Sequence, residues 1–297
     1  MPTTLPLKHF LLALAVVAVW GSNFVVIKLA LGHLPPLLFA ALRFALALVP
    51  AVFFIPRPKV PLSNLVAYGL FIGVGQFGLL YIAVGGHISP GLASLVVQAQ
   101  VFFTIGISMA FTGERVKSFQ WLALLLAAVG MGVIAVHTDS HTTLLGLGLV
   151  LLAAFSWACG NTASKRAGQV HMLSYVVWSC LFAAPPLFVL AVVFEGWDNV
   201  VQSVQQADAG TWAAVVWQSW GNTLFGYAAW GWLLSRHPAA TITPMALLVP
   251  VFGMGASAFW LAEPLPAWKL WAAALVMSGL ALNLLWPKWV ARRVPGA

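Results

Sequence analysis

Arg43 is the only charge well inside an apolar stretch of this chain. It stands about two helical turns past Pro36, roughly 10 Å below the surface if the stretch spans a membrane. A cation at that depth is costly and is a functional candidate by default. Its guanidinium can grip a carboxylate through a forked pair of hydrogen bonds, so one reading is contact with an anionic substrate group. The other reading is structural: snorkelling, or pairing with Glu263 near the end of a later apolar run. Uncharged polar residues form the larger group. Ser22 and Asn23 lie midway in the first run, Gln76 in the third, Gln98 and Gln100 in the fourth, Asn161 late in the sixth, and Asn222 and Thr223 in the eighth. Gln98 and Gln100 point about 200° apart on a helix, so one can face a cavity while the other bonds a neighbouring helix. Each of these side chains is open to two readings, a site residue or a helix-to-helix hydrogen bond. Trp20, Trp157, Trp178, Tyr81 and Tyr227 are deep enough to line a cavity, and aromatic faces can cradle an ammonium group. Trp260, Trp268, Trp271, Trp286 and Trp289 lie near run ends, where interface anchors belong.

The elements that must position these residues are spanning helices. The chain is 62% hydrophobic and 7% charged over 297 residues, against about 45–50% and 25% in soluble domains. Apolar runs near 9–31, 36–55, 64–84, 90–111, 119–136, 144–164, 172–194, 211–234, 239–261 and 267–286 predict ten spans. A span takes roughly 20 residues, and lipid forces its backbone to bond internally as a helix. None of the runs alternates with period two, as a barrel strand would. The first is too long for a cleaved signal core. Trp197–Gly210 is the longest polar stretch, a surface loop or an interfacial helix. Cys159 and Cys180 fall inside apolar runs and read as buried small residues, not as a disulfide or a metal pair.

The net charge of +8 is an orientation signal rather than a nucleic-acid surface. Eleven of the fourteen basic residues fall on one face, from Lys8 through Arg57, Lys59, Arg115, Lys117, Lys165, Arg166 and Arg236 to Lys288, Arg292 and Arg293. Asp139, Glu195, Asp198 and Asp208 fall on the other. The positive-inside rule makes the basic face cytoplasmic and places both termini inside.

The chain also repeats. Trp20-Gly21-Ser22-Asn23 with Lys28 corresponds to Trp157-Ala158-Cys159-Gly160-Asn161 with Lys165, and later Glu114 corresponds to Glu263 and Gly130 to Gly279. The expected units are residues 1–137 and 138–297, with five spans each. An odd number inserts the halves in opposite directions, the inverted repeat of many secondary transporters, with the substrate between the halves near the midplane. Under that symmetry Lys28 and Lys165 are either interfacial anchors or gate charges at opposite faces. Glu114 and Glu263, unfavourable at helix C-termini, are either paired with nearby basic groups or part of the same gating scheme.

In order and position these motifs resemble the drug/metabolite transporter superfamily, in its ten-span branch with two EamA domains. The resemblance is carried by Trp20-Gly21-Ser22-Asn23-Phe24, Pro35-Pro36 with Arg43, Gly91-Leu92-Ala93-Ser94-Leu95 leading to Gln98-Ala99-Gln100, Gly113-Glu114-Arg115, Ala154 to Asn161, and Leu248-Val249-Pro250-Val251. It covers almost the whole chain and is strongest toward the EamA- and YddG-type amino-acid exporters. It implies a basket in which spans one to four and six to nine surround a central cavity. Spans five and ten then lie outside, in contacts between two copies. The second half departs from the first at Ala262-Glu263-Pro264, which lacks the basic residue after the glutamate.

The expected function is therefore non-ATP export of amino acids and related small metabolites across a bacterial inner membrane. The alternative within transport is proton-coupled export of drugs or of cationic or aromatic compounds. The chain has no phosphate loop, and no His-Glu-x-x-His or Gly-x-Ser-x-Gly that would suggest an intramembrane enzyme. No cofactor or metal is expected. No titratable acid or histidine lies near the midplane, so facilitation down the substrate's own gradient is the simplest energetics.

Overall fold

Prolines and polar caps start the helices where the apolar runs begin. In this computed structural model, residues 5–112, 118–137, 142–237 and 239–293 are described, with 111, 112, 239, 240 and 287–293 described by their backbone alone. Helix α1 is Leu7–Ala30; α2, Pro36–Leu48, begins on a proline whose missing N–H costs nothing at that position and is followed by α3, Ala51–Phe54. The third run is one helical path, α4 Leu62–Gly69, a wider π-helical stretch Leu70–Gly78, and α5 Leu79–Gly86. The fourth is α6 Pro90–Val96, a tighter 3₁₀ turn Val97–Ala99, and α7 Gln100–Thr112; α8 is Ser118–Val136. Helix α9, Leu144–Arg166, is capped by the Thr143 hydroxyl accepting from Gly146 N–H, and α10, Met172–Glu195, by His171. Gly196, at φ 85°, turns the chain into α11, Trp197–Gln206. Next come α12 Ala209–Val216, a second π stretch Trp217–Phe225 and α13 Gly226–Arg236. Then follow α14 Ala239–Ile242, a 3₁₀ stretch Thr243–Leu248, α15 Val249–Trp260 and α16 Ala267–Arg293.

All regular structure among the described residues is helical, and nine helical paths are long and apolar enough to cross a membrane. The path from Ala209 to Arg236 is helical throughout and falls outside those nine. Gln218, Asn222 and its several tryptophans dilute its apolarity. The longest polar stretch of the sequence is a helix, α11, which buries Val200 and Ser203 and exposes Trp197. Glu114, with its neighbours Gly113, Arg115 and Lys117, and Asp139 lie outside the described residues.

Packing sorts the helices into a ring and a pair. Helix α2 lies along α10, α1 along α15, α9 along α7 and the π stretch 70–78, and α6 along α15. Helices α8 and α16 pack on one another, and much of their remaining surface is open. Only 22% of the α8 span is buried, against 56% of the path Leu62–Gly86, which is the difference between an outer and a central position. Phe53, Phe259 and Val136 are among many large apolar side chains left exposed, as the lipid face of a multi-pass membrane protein requires.

Candidate functional site

The ring converges on Arg43. Residues four apart return to nearly the same face of a helix, so Gln218 and Asn222, and beside them Ser219 and Thr223, form one polar wall on the second π stretch. All four are buried. That wall meets α2: Ser219 donates to the Arg43 carbonyl at 2.9 Å, and Arg43 Nη2 donates to Thr223 Oγ1 at 3.0 Å. From the third span, Tyr81 accepts from Arg43 Nη1 at 3.0 Å and donates to Gln218 Oε1 at 3.1 Å. The guanidinium carbon sits 3.7 Å from the centre of the Phe77 ring, a cation–π contact. Arg43 is 1% exposed, and no described carboxylate lies within ion-pairing reach of it. A buried cation held by neutral groups and a ring keeps its charge available for an incoming anion.

A small cavity opens beside this cluster, lined by Arg43, Phe77, Thr223, Tyr68, Tyr227 and Cys180 among others. Its volume is about 10 Å³, room for one water, whereas ligand pockets run from about 300 Å³ upward. The bundle is therefore closed around its centre. Both sides of the cavity carry a π stretch, and such bulges recur at functional sites and give a helix a place to change register.

Two further polar groups flank the centre. Asn161 Nδ2 donates to Gln100 Oε1 at 2.9 Å and to Thr104 Oγ1 at 3.3 Å, tying α9 to α7. Gln98, on the 3₁₀ turn 97–99, is buried and takes no part in that bond. Trp20 Nε1 donates to the Asn222 carbonyl at 3.2 Å, and its ring lies 5.8 Å from Tyr227 and 5.2 Å from Trp230. The indole fits because residue 226 is glycine: a Cβ there would stand 2.4 Å from Trp20 Nε1.

The structure thus gathers Arg43, Tyr81, Tyr227, Trp20 and Asn222 around one centre; Gln76 is buried on the π stretch 70–78, which lines the cavity, and Asn23 is buried on α1 one turn from Trp20. Gln100 and Asn161 meet each other. Trp157 is half-buried against the core, and Trp178 donates to the Ile55 carbonyl at the end of the second span. Lys28 caps a helix, donating to the carbonyls of Val84 and Gly85 at 3.2 and 3.1 Å, whereas Lys165 is exposed. Glu263 does not pair with Arg43. It accepts from Lys269 at 2.8 Å, from Gly91 N–H at 3.1 Å and from the Ser257 hydroxyl, joining the ends of α15, α16 and α6. Burial pushes its carboxyl up, but the bonds from Lys269 and Ser257 outweigh that and leave it below the usual carboxylate range. A second carboxylate, Glu195, accepts from the N–H groups of Leu37 and Leu38 at 2.6 and 3.0 Å, at the positive end of the helix that carries Arg43.

Sequence reasoning passed over Gln218, Tyr68 and Phe77. One signal was available: all four tyrosines of the chain lie inside runs rather than in the interfacial belts where the residue usually collects.

Similarity to known proteins extends along nearly the whole chain. The family described as the EamA-like transporter family matches residues 7–136 and again 144–285. A "Probable amino-acid metabolite efflux pump" of Salmonella typhimurium (strain LT2) is 43% identical over 283 residues, covering 93% of this chain and 95% of that protein. The protein of the same description in Escherichia coli (strain K12) is 41% identical over 290 residues, covering 95% and 96%. A solved crystal structure with 19% identity superposes with a TM-score of 0.61 over 97% of this chain and 99% of the other, a likeness of fold alone.

Proposed function

This chain belongs to the EamA-like transporter family, and from that premise we propose that it exports amino acids and related small metabolites across a bacterial inner membrane by alternating access. The observation that carries the reading is Arg43, a buried cation without a carboxylate partner among the described residues, set against the central cavity. It is the anchor for a substrate carboxylate. Relatives at 41–43% identity described as amino-acid metabolite efflux pumps support the same substrate class. Ten spans result when the polar path Ala209–Arg236 is counted as one more crossing, stabilised by the wall it contributes to the site. Residues 1–137 and 138–297 then form two inverted repeats. The π stretches 70–78 and 217–225 fall in corresponding spans, as do the 3₁₀ stretches 97–99 and 243–248, which supports that symmetry. The packing is consistent with it: α1 lies on α15 as α9 lies on α7, and α2 on α10 is its own counterpart. The paired outer helices α8 and α16 offer an apolar face for a second copy.

Transport is facilitative in this reading, since no described carboxylate or histidine lines the cavity. Purified protein in liposomes loaded with an unlabelled neutral amino acid should take up labelled substrate by counterflow without a pH step. Accumulation driven by a pH gradient and lost with a protonophore would replace facilitation by proton coupling. Absence of counterflow with every amino acid would remove the amino-acid reading itself.

Orientation has its own test. The α11 segment should face the periplasm and the end of α9 the cytoplasm. With Cys159 and Cys180 replaced, Gln205→Cys should react with an impermeant thiol reagent added to intact cells, and Lys165→Cys should react only after lysis. The opposite pattern reverses the direction of every gate assignment.

A further inference from the structure

The centre of the molecule holds a set of buried polar atoms with no hydrogen-bond partner among the described residues, and they fall into two chemical kinds. Three are amide oxygens: Asn23 Oδ1, Gln76 Oε1 and Asn222 Oδ1. Two are donors: Arg43 Nε and Gln218 Nε2. The four amide residues are each 5% exposed or less, so water does not satisfy them in bulk. Buried polar atoms are almost always bonded, and an unbonded set at one centre calls for a ligand.

Resting on the reading of this cavity as the amino-acid site, we propose that it recognises a zwitterion through uncharged amides. Arg43 and Gln218 take the α-carboxylate, and Asn23, Gln76 and Asn222 take the α-ammonium through their side-chain oxygens. Placement supports the division. Gln218 and Asn222 lie one turn apart on one face, about 5–6 Å between Cβ atoms, so a molecule with adjacent carboxylate and ammonium bridges the donor end and the acceptor end. Gln218 spends its oxygen on Tyr81, leaving its nitrogen beside the Arg43 cluster. Asn23 follows Trp20 by one turn on the same face, and Trp20 is bonded to the Asn222 backbone. Gln76 follows Ile72 and Gly73, both of which line the cavity. No described carboxylate lines it; the Tyr227 ring does, with the Trp20 ring 5.8 Å from it, so an ammonium meets an aromatic face there.

The site then favours α-amino acids with uncharged side chains over the 2-hydroxy acids of the same skeleton, which keep the carboxylate and lack the ammonium. A site built to bond a substrate group rejects the analogue without it, because its own buried atoms stay unpaired. The test is counterflow in liposomes with labelled leucine and labelled 2-hydroxy-4-methylpentanoate, using wild type, Gln76→Met, Asn23→Leu and Asn222→Asp. Wild type should prefer leucine, and the preference should narrow by about tenfold or more in Gln76→Met and Asn23→Leu. Asn222→Asp keeps the side-chain shape and adds an acceptor charge, so it should lower exchange of the hydroxy acid more than exchange of leucine. Equal loss of both substrates in Gln76→Met and Asn23→Leu overturns the proposal, as does selective loss of leucine in Asn222→Asp, which would make the amides carboxylate donors. Wild-type exchange of both substrates at one rate overturns it while leaving the carboxylate anchor standing. Exchange of neither, nor of any other amino acid, overturns the amino-acid reading as well.

Discussion

Arg43→Met should abolish amino-acid export while the protein accumulates, folds and purifies as before. The variant keeps roughly the length and flexibility of the side chain and removes the charge. Taking out a buried charge that lacks an anionic partner relieves a desolvation cost, so stability is held or raised. The two hydroxyls that accept from Arg43 each keep another bond. Tyr81 still donates to Gln218 at 3.1 Å, and Thr223 still donates to the Gln218 carbonyl at 2.9 Å. Transport is affected differently. A forked, charge-assisted contact to a carboxylate carries two bonds of about 1.5–3 kcal/mol each, and its loss should lower transport by about 10²–10⁴-fold. Arg43→Lys should recover only a small part, since an ammonium restores charge without the planar fork. The measurement is counterflow in liposomes at matched protein content, with size exclusion and thermal unfolding as controls. Wild-type exchange in Arg43→Met would remove the carboxylate anchor and return Arg43 to a structural role.

A large effect on folding is expected at Gly73, beside the cavity. The third span crosses α10 so closely that a Cβ on Gly73 would lie 2.3 Å from Ala183 Cβ, and one on Gly69 would lie 2.5 Å from the Ser179 carbonyl oxygen. Small residues four apart allow such an approach in membranes, where dispersion contacts and not hydrophobic exclusion hold helices together. Gly73→Val forces backbones apart beside the cavity and should cost about 3 kcal/mol. That is a large share of the stability of an ordinary domain, about 5–15 kcal/mol, and the yield of monodisperse protein should fall sharply. Gly132→Val is the control, because nothing stands within 4 Å of a Cβ there. Gly73→Ala combined with Ala183→Gly should recover stability lost in Gly73→Ala alone, as contacting sites couple. Equal melting points for Gly73→Val and wild type would mean that the helices do not meet at this depth.

Particular residues show where reading the sequence stopped. Arg43 and Asn222 stood out because polar groups are conspicuous in an apolar run. Gln218 is just as polar in the same run and was missed, since its importance lies in bonding Tyr81 from a span far away in the chain. For Glu263 the sequence offers two partners, Arg43 or a nearby basic group. It pairs with Lys269, six residues on, across a turn whose geometry no spacing rule contains. For Lys28 the sequence leaves both anchor and gate open. It caps the end of α5, because the first and third spans end at the same level. The eighth run was recognised as apolar enough to span, yet its polar wall leaves it below the other nine helical paths.

By itself the sequence determined that this is a multi-pass helical membrane protein of a transporter family, and it determined roughly where each run begins and ends. Those properties are local: bilayer thickness sets run length and the need for internal backbone bonding sets helix. The motifs that identify the family are also contiguous and survive in one dimension. Only the tertiary structure decided which polar residues share a centre and which merely join two helices. It alone placed the π stretches on two sides of the cavity, brought Thr223 and Tyr81 to Arg43 over long chain separations, and left five central polar atoms without partners among the described residues. In lipid every face of a spanning helix can be apolar, so hydrophobic periodicity does not point inward as it does in water. The direction a side chain faces is then set by close packing between helices, which depends on where glycine and alanine let backbones meet.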